Sequence, residues 1–187
     1  MARYLVAAGE LLDTDPESAL AHARAARGRA ARIGAVREAV GIAAYHCGEW
    51  AEALSELRAA RRITGDPRNI AIMADCERAL GRPAQALRVF DDPAAKRLDP
   101  ETRVELLLVV AGARRDLGQV PAALAVLERG NLNRDAPSAG SMRLWYGYAD
   151  ALQEAGRTEE AAAWFAATAG LDRTGITDAA ERAAALL

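Results

Sequence analysis

A glycine followed five residues later by an alanine recurs four times in this chain, as Gly48 with Ala53, Gly81 with Ala86, Gly118 with Ala123 and Gly156 with Ala161. Successive glycines are 33, 37 and 38 residues apart. A near-fixed period of this size constrains a fold more than any local motif, because each unit must bury its apolar face against its neighbours. A degenerate fifth copy lies upstream, where Thr14 stands for the glycine and Ala19 for the alanine.

The positions around the glycine repeat too. Eight residues before it stand Val40, Met73, Val110 and Tyr148, and seven before it the small residues Gly41, Ala74, Ala111 and Ala149. Five before it come Ala43, Cys76, Ala113 and Ala151, and nine after it Leu57, Phe90, Leu127 and Phe165. Large residues at fixed positions fill the gap between two helices, and small ones let the backbones approach. Aromatics make up only 5% of the chain and alanine is its commonest residue, so helix is the favoured element throughout.

Boundary signals divide the chain the same way. Asp15-Pro16, Asp66-Pro67 and Asp99-Pro100 each place a capping carboxylate before a proline that can occupy the first helical position. Gly34, Gly48, Gly81, Gly118, Gly130 and Gly156 fall where helices are expected to end in a left-handed residue. The spacing predicts eleven helices, over 2–12, 16–33, 35–47, 50–64, 67–80, 83–90, 100–117, 121–129, 139–155, 158–169 and a last one from 177. Insertions are expected near Ala94 to Leu98 and Asn131 to Ser138. Trp164 stands outside the core columns and is expected to pack on the last helix.

Composition excludes several classes. With 24 basic and 26 acidic residues the net charge is -2, which disfavours nucleic acid or an anionic membrane as partner. Two cysteines, Cys47 and Cys76, cannot form a disulfide framework and fit a reducing compartment. No apolar run reaches the ~18 residues of a membrane span, and the apolar stretch before Glu10 is too short for a signal peptide. The expected location is the cytoplasm. His22 and His46 have no Cys or second His at ligand spacing, and no glycine pair has the spacing of a phosphate-binding loop. The chain is therefore expected to be noncatalytic and to need no cofactor or metal.

The unit Val40-Gly41-Ile42-Ala43-Ala44-Tyr45-His46-Cys47-Gly48-Glu49-Trp50-Ala51-Glu52-Ala53-Leu54 resembles the tetratricopeptide repeat family, whose repeat of about 34 residues is a pair of antiparallel helices. The resemblance runs from about Ala2 to Gly170. It implies one domain, 1–187: a right-handed superhelical all-α solenoid with repeats near 1–33, 34–66, 67–99, 100–138 and 139–173 and a capping helix over 177–187. The family's aromatic two residues after the glycine survives only as Trp50, replaced by Pro83, Val120 and Thr158. Ala21 to Ala26 and Arg32 to Ala39 also resemble a group of actinobacterial members of unassigned function. Members of that group tend to carry a charged, disordered N-terminal extension, which implies a longer parent chain.

In this family the first helix of each pair lines a concave peptide-binding surface. Residues 13, 10, 6 and 3 before the glycine share one helical face. That face reads Ala35, Glu38, Ile42, Tyr45; Arg68, Ala71, Asp75, Arg78; Glu105, Leu108, Gly112, Arg115; and Arg143, Tyr146, Asp150, Gln153. Members that clamp a C-terminal carboxylate use lysine and asparagine, where this chain has Glu38, Ala39 and Ile42, so a chaperone tail is rejected as ligand. The expected partner is a peptide or helix of another protein. It would be held by Glu38, Tyr45, Arg68, Asp75, Arg78, Arg115, Arg143, Tyr146 and Asp150, with the tyrosines as anchors and Arg78 and Arg115 orienting. The competing expectation is that the same charges pair with one another as solvated surface. An alternative contact surface is the basic strip Arg24, Arg27, Arg29, Arg32 and Arg37, which would meet nucleic-acid phosphates.

Overall fold

The computed structural model describes residues 1–187. It contains eleven α-helices and no strand: α1 (Ala2–Leu11), α2 (Pro16–Ala30), α3 (Gly34–His46), α4 (Trp50–Thr64), α5 (Ile70–Ala79), α6 (Pro83–Phe90), α7 (Pro100–Asp116), α8 (Val120–Leu127), α9 (Ser141–Glu154), α10 (Thr158–Leu171) and α11 (Ala179–Ala185). A short 3₁₀ turn, Pro93–Arg97, occupies the first expected insertion. No helix is long and apolar enough to cross a membrane. The chain divides into two compact units, Met1–Ala86 and Leu87–Leu187.

Within each unit the helices pack as adjacent pairs, α1 with α2 and α3 with α4 in the first, α7 with α8 and α9 with α10 in the second. The repeated glycines explain how each pair is joined. Gly48, Gly81, Gly118 and Gly156 all have φ between +70° and +75°, a conformation that costs other residues a Cβ clash. In every copy the glycine N–H donates three residues back, at 2.8–3.0 Å, and the next N–H donates five residues back, at 2.8–2.9 Å. This pair of hydrogen bonds satisfies two carbonyls that the helix end would otherwise leave without partners. In three copies the residue that closes it, Glu49, Gln119 or Arg157, is also the N-cap of the next helix. Its carbonyl accepts from Ala53, Ala123 or Ala161 at 2.9–3.0 Å, so the five-residue spacing is one turn plus one helical hydrogen bond.

The core columns are buried as the spacing predicts. Val40, Ala43, Ala53 and Leu57 lie inside the first unit, and Val110, Ala113, Ala123, Leu127, Ala151, Ala161 and Phe165 inside the second. Phe90 is the exception, being only half-buried. At Gly41 an added Cβ would collide with Leu57, so this column is small because two helices touch there.

Three boundary expectations are corrected. Asp15 and Asp99 cap their helices, accepting from Ser18 N–H at 3.1 Å and from Thr102 N–H at 2.9 Å. Asp66 does not start one: its carboxylate is held by the Arg68 backbone at 2.9 Å and by the Arg68 guanidinium, residues 67–70 close a single turn, and α5 begins at Ile70. Gly34 and Gly130 are not left-handed stops. They are small because a Cβ would overlap Thr64 at the first and Leu144 at the second. Trp164 packs on α9, 5.6 Å from Trp145 and 5.4 Å from Tyr148, with the Arg134 guanidinium 4.0 Å from its ring, rather than on α11.

Candidate functional site

The face positions of successive first helices meet one another in pairs. In the first unit Tyr45 donates its hydroxyl to Asp75 Oδ2 at 2.6 Å, and Arg78 donates to Asp75 Oδ1 at 2.9 Å. Two turns away along α3, Glu38 accepts from Asn69 Nδ2 at 2.6 Å and lies 4.0 Å from Arg68, which is itself paired with Asp66. The second unit repeats the geometry with other residues. Arg115 donates to Asp150 Oδ2 at 2.6 Å and also pairs with Glu154, while Arg143 pairs with Glu105 at 2.6 Å. In both units a residue three before the glycine reaches the aspartate six before the next glycine.

The nine expected contact residues are thus each engaged within the chain, five in the first unit and four in the second. Their polar atoms already have partners, which removes much of the gain a ligand would obtain by pairing with them. Burial and the bond to Asp75 together push the Tyr45 hydroxyl well above its ordinary range, so it stays a neutral donor. Burial alone would raise Asp150, but hydrogen bonds from Arg182 and Arg115 outweigh it and hold the carboxyl below its ordinary value.

Arg182 of α11 was not signalled by the repeat. It donates to Asp150 at 2.7 Å, to Gln153 at 2.7 Å and to the Tyr146 hydroxyl at 2.9 Å, and its guanidinium lies 4.1 Å from the Phe165 ring. Tyr146 in turn donates to Asp178 at 2.7 Å. The chain's own C-terminal helix therefore occupies the α9 face expected to meet a partner.

The α3 face is different where it meets α1. Ala35, Glu38, Ala39 and Ile42 stand opposite Leu5, Ala8, Gly9 and Leu12 around an open cleft of about 240 Å³. Glu38 is the only ionisable residue in that lining. A second cleft of about 250 Å³ continues from Ala35 and Glu38 past Thr64, Arg68 and Asn69 to Met73. The α1 side escaped the sequence reading because the first repeat lacks the glycine that aligns the others.

The basic strip is largely neutralised. Arg27 donates to Glu52 at 2.9 Å and Glu56 at 2.7 Å, Arg37 donates to Glu56 at 2.8 Å, and Arg24 pairs with Glu52. Glu56 is buried, so its two arginines compensate a carboxylate that could not be left alone. Arg29 lies over the Tyr4 ring at 5.0 Å and donates to the Ala25 carbonyl; Arg32 stands exposed. The missed signal was Glu52 and Glu56, four apart on α4, matching Arg24 and Arg27 three apart on α2.

The fold and this face define an all-α protein of adjacent helix pairs joined by a recurring glycine turn. The sequence matches no protein-family model, and a search of curated proteins finds no significant relative.

Proposed function

We propose that the chain is a noncatalytic, cytoplasmic protein-interaction scaffold of tetratricopeptide type, which takes an apolar peptide or short helix of a partner into the cleft between α1 and α3. The observation behind this reading is that cleft itself: an open, almost wholly apolar lining on a face where the other expected contacts are bonded internally. Leu5, Leu12 and Ile42 supply the apolar contact. The four identical turns support the tetratricopeptide assignment. Nucleic-acid binding through Arg24 to Arg37 is the weaker reading, because Glu52 and Glu56 already hold Arg24, Arg27 and Arg37.

Affinity capture with three baits tests it: the parent chain, Ala39→Glu with Ile42→Glu, and Arg27→Glu with Arg32→Glu, with bound protein and nucleic acid both identified. A protein held by the parent and the arginine variant but lost from the cleft variant is the expected result. Capture that survives the cleft variant unchanged overturns the reading, and nuclease-sensitive capture lost only with the arginine variant replaces it.

A further inference from the structure

Four arginines of the second unit are paired with carboxylates: Arg115 with Asp150 and Glu154, Arg143 with Glu105, Arg157 with Glu160 and Arg182 with Asp150. Among the remaining cations of that unit, three share one cleft. Lys96, Arg103 and Arg129 line one cleft of about 230 Å³ and form no salt bridge. They come from three different elements: Lys96 from the 3₁₀ turn, Arg103 from the second turn of α7, and Arg129 from just beyond α8. The rest of the lining includes Phe90 and the buried Leu106, together with Asp91 and Asp92.

The arrangement is preorganised in two respects. Arg129 is held against the Phe90 ring, its guanidinium carbon 4.4 Å from the centroid, and a contact through the ring face leaves the guanidinium N–H donors available. Asp92 has one carboxylate oxygen committed to the Ala94 N–H at 2.8 Å, where it caps the 3₁₀ turn. Three cations against two carboxylates leave the lining net positive. A planar carboxylate needs only a single guanidinium fork, whereas separate cations from three elements suit the three oxygens of a dianionic phosphate, with lysine acting as a point charge. The cleft is smaller than the ~300–1,000 Å³ of a typical drug-sized site, so it fits a phosphate with a small body and not a nucleotide.

We propose that this cleft binds a phosphate monoester, with the phosphate among Lys96, Arg103 and Arg129 and a small apolar or aromatic body on Phe90 and Leu106. The ester could be a free small molecule or a phosphorylated side chain, which share the recognised chemistry. Neither source depends on the α1/α3 cleft.

Calorimetric titration at low salt with phenyl phosphate, inorganic phosphate and a phosphotyrosine peptide with its unphosphorylated twin tests this. Phenyl phosphate is expected to bind with one-to-one stoichiometry, more tightly than inorganic phosphate and more weakly as salt rises. Arg103→Gln with Arg129→Gln should lower its affinity at least about tenfold, while Arg88→Gln with Arg97→Gln, two arginines outside the lining, should leave it unchanged. Lys96→Gln alone, at an exposed side chain, provides a variant with no packing to lose and should weaken binding in the same direction. Tighter binding of the phosphopeptide than of phenyl phosphate assigns the site to a phosphorylated chain; the reverse assigns it to a small ester. No saturable binding up to about 10 mM, or equal loss in both arginine pairs, overturns the proposal.

Discussion

The α3 face of the first unit and the α9 face of the second use the same four helical positions and reach opposite outcomes. On α9 the positions are Arg143, Tyr146, Asp150 and Gln153, and the last three are bonded to Asp178 or Arg182 of the following segment. On α3 they are Ala35, Glu38, Ile42 and Tyr45; Tyr45 and Glu38 are bonded to Asp75 and Asn69, while Ala35, Glu38 and Ile42 face Leu5, Ala8, Gly9 and Leu12 across the open cleft. The difference lies at one column. Asp75 and Asp150, six before their glycines, each accept from a neighbouring element, whereas Ile42 at the same position has no polar group to offer and lines the cleft. One repeat position thus carries either a hydrogen-bonded carboxylate, at Asp75 and Asp150, or an apolar cleft lining, at Ile42.

Removing Asp150 is the strongest way to break the contrast. Asp150→Ala takes the acceptor from both Arg115 and Arg182 and leaves two half-buried guanidinium groups without it, so a loss of about 2–3 kcal/mol is expected, at the level of hydrogen bonds to charged groups. Amides of α11 should then exchange faster in a hydrogen-exchange measurement while those of α3 and α4 stay as they were. Unchanged protection of α11 would mean that Arg182 does not hold the helix down.

Asp75→Ala is the matching change in the first unit, with an expected cost of about 1–2 kcal/mol because the lost bonds come from one neutral hydroxyl and one guanidinium. It carries its own reporter. The folded Tyr45 phenol titrates above the ordinary ~10, first through burial and then through the bond to Asp75. The bond therefore stabilises the fold below pH ~10, and its contribution disappears as alkali ionises the phenol. In Asp75→Ala the ultraviolet titration midpoint of Tyr45 should move down while remaining above that of an exposed tyrosine.

Filling the open side should have a smaller effect on stability and a larger one on binding. Ala35 is exposed at the lip of the cleft, so Ala35→Leu should change the unfolding free energy by no more than about 0.5 kcal/mol. The same side chain would occupy the space proposed for the partner. A melting temperature near that of the parent together with lost capture supports the cleft; retained capture places the partner elsewhere.

What the sequence made legible follows from how local each feature is. The glycine turns depend on residues within six positions, and the buried columns on a helical period, so both could be read directly from spacing. The stitched face could be placed but not paired, because Tyr45 meets Asp75 and Arg115 meets Asp150 across 30 and 35 residues. Asp66-Pro67 had the right cap chemistry, and the adjacent Arg68 captured the carboxylate by both backbone and side chain. Arg182 lay outside every repeat column, and Lys96 joins Arg103 and Arg129 only through an insertion that interrupts the repeat period.

The smallest expected effect concerns the turn that delivers α11. Asp172 accepts from the Thr177 hydroxyl and N–H, both at 2.7 Å, and from Ile176 N–H at 3.0 Å, around Gly175 at φ +65°. Those bonds, the Thr177 hydroxyl foremost, hold the carboxyl down at about 2 against an ordinary 3.8. A carboxyl depressed in the fold stabilises it above the ordinary value, and the contribution is lost as pH falls through about 2. In an NMR titration the Asp172 carboxyl carbon should have its midpoint near 2, and Thr177→Val should raise it toward 3.8 while leaving the Tyr45 titration alone. Because Thr177 adjoins Asp178, the partner of Tyr146, Thr177→Val at neutral pH should slightly loosen the α9 contact and leave α3 as it was. Unchanged hydrogen exchange in α11 of Thr177→Val would show that the closure of α9 does not depend on this turn.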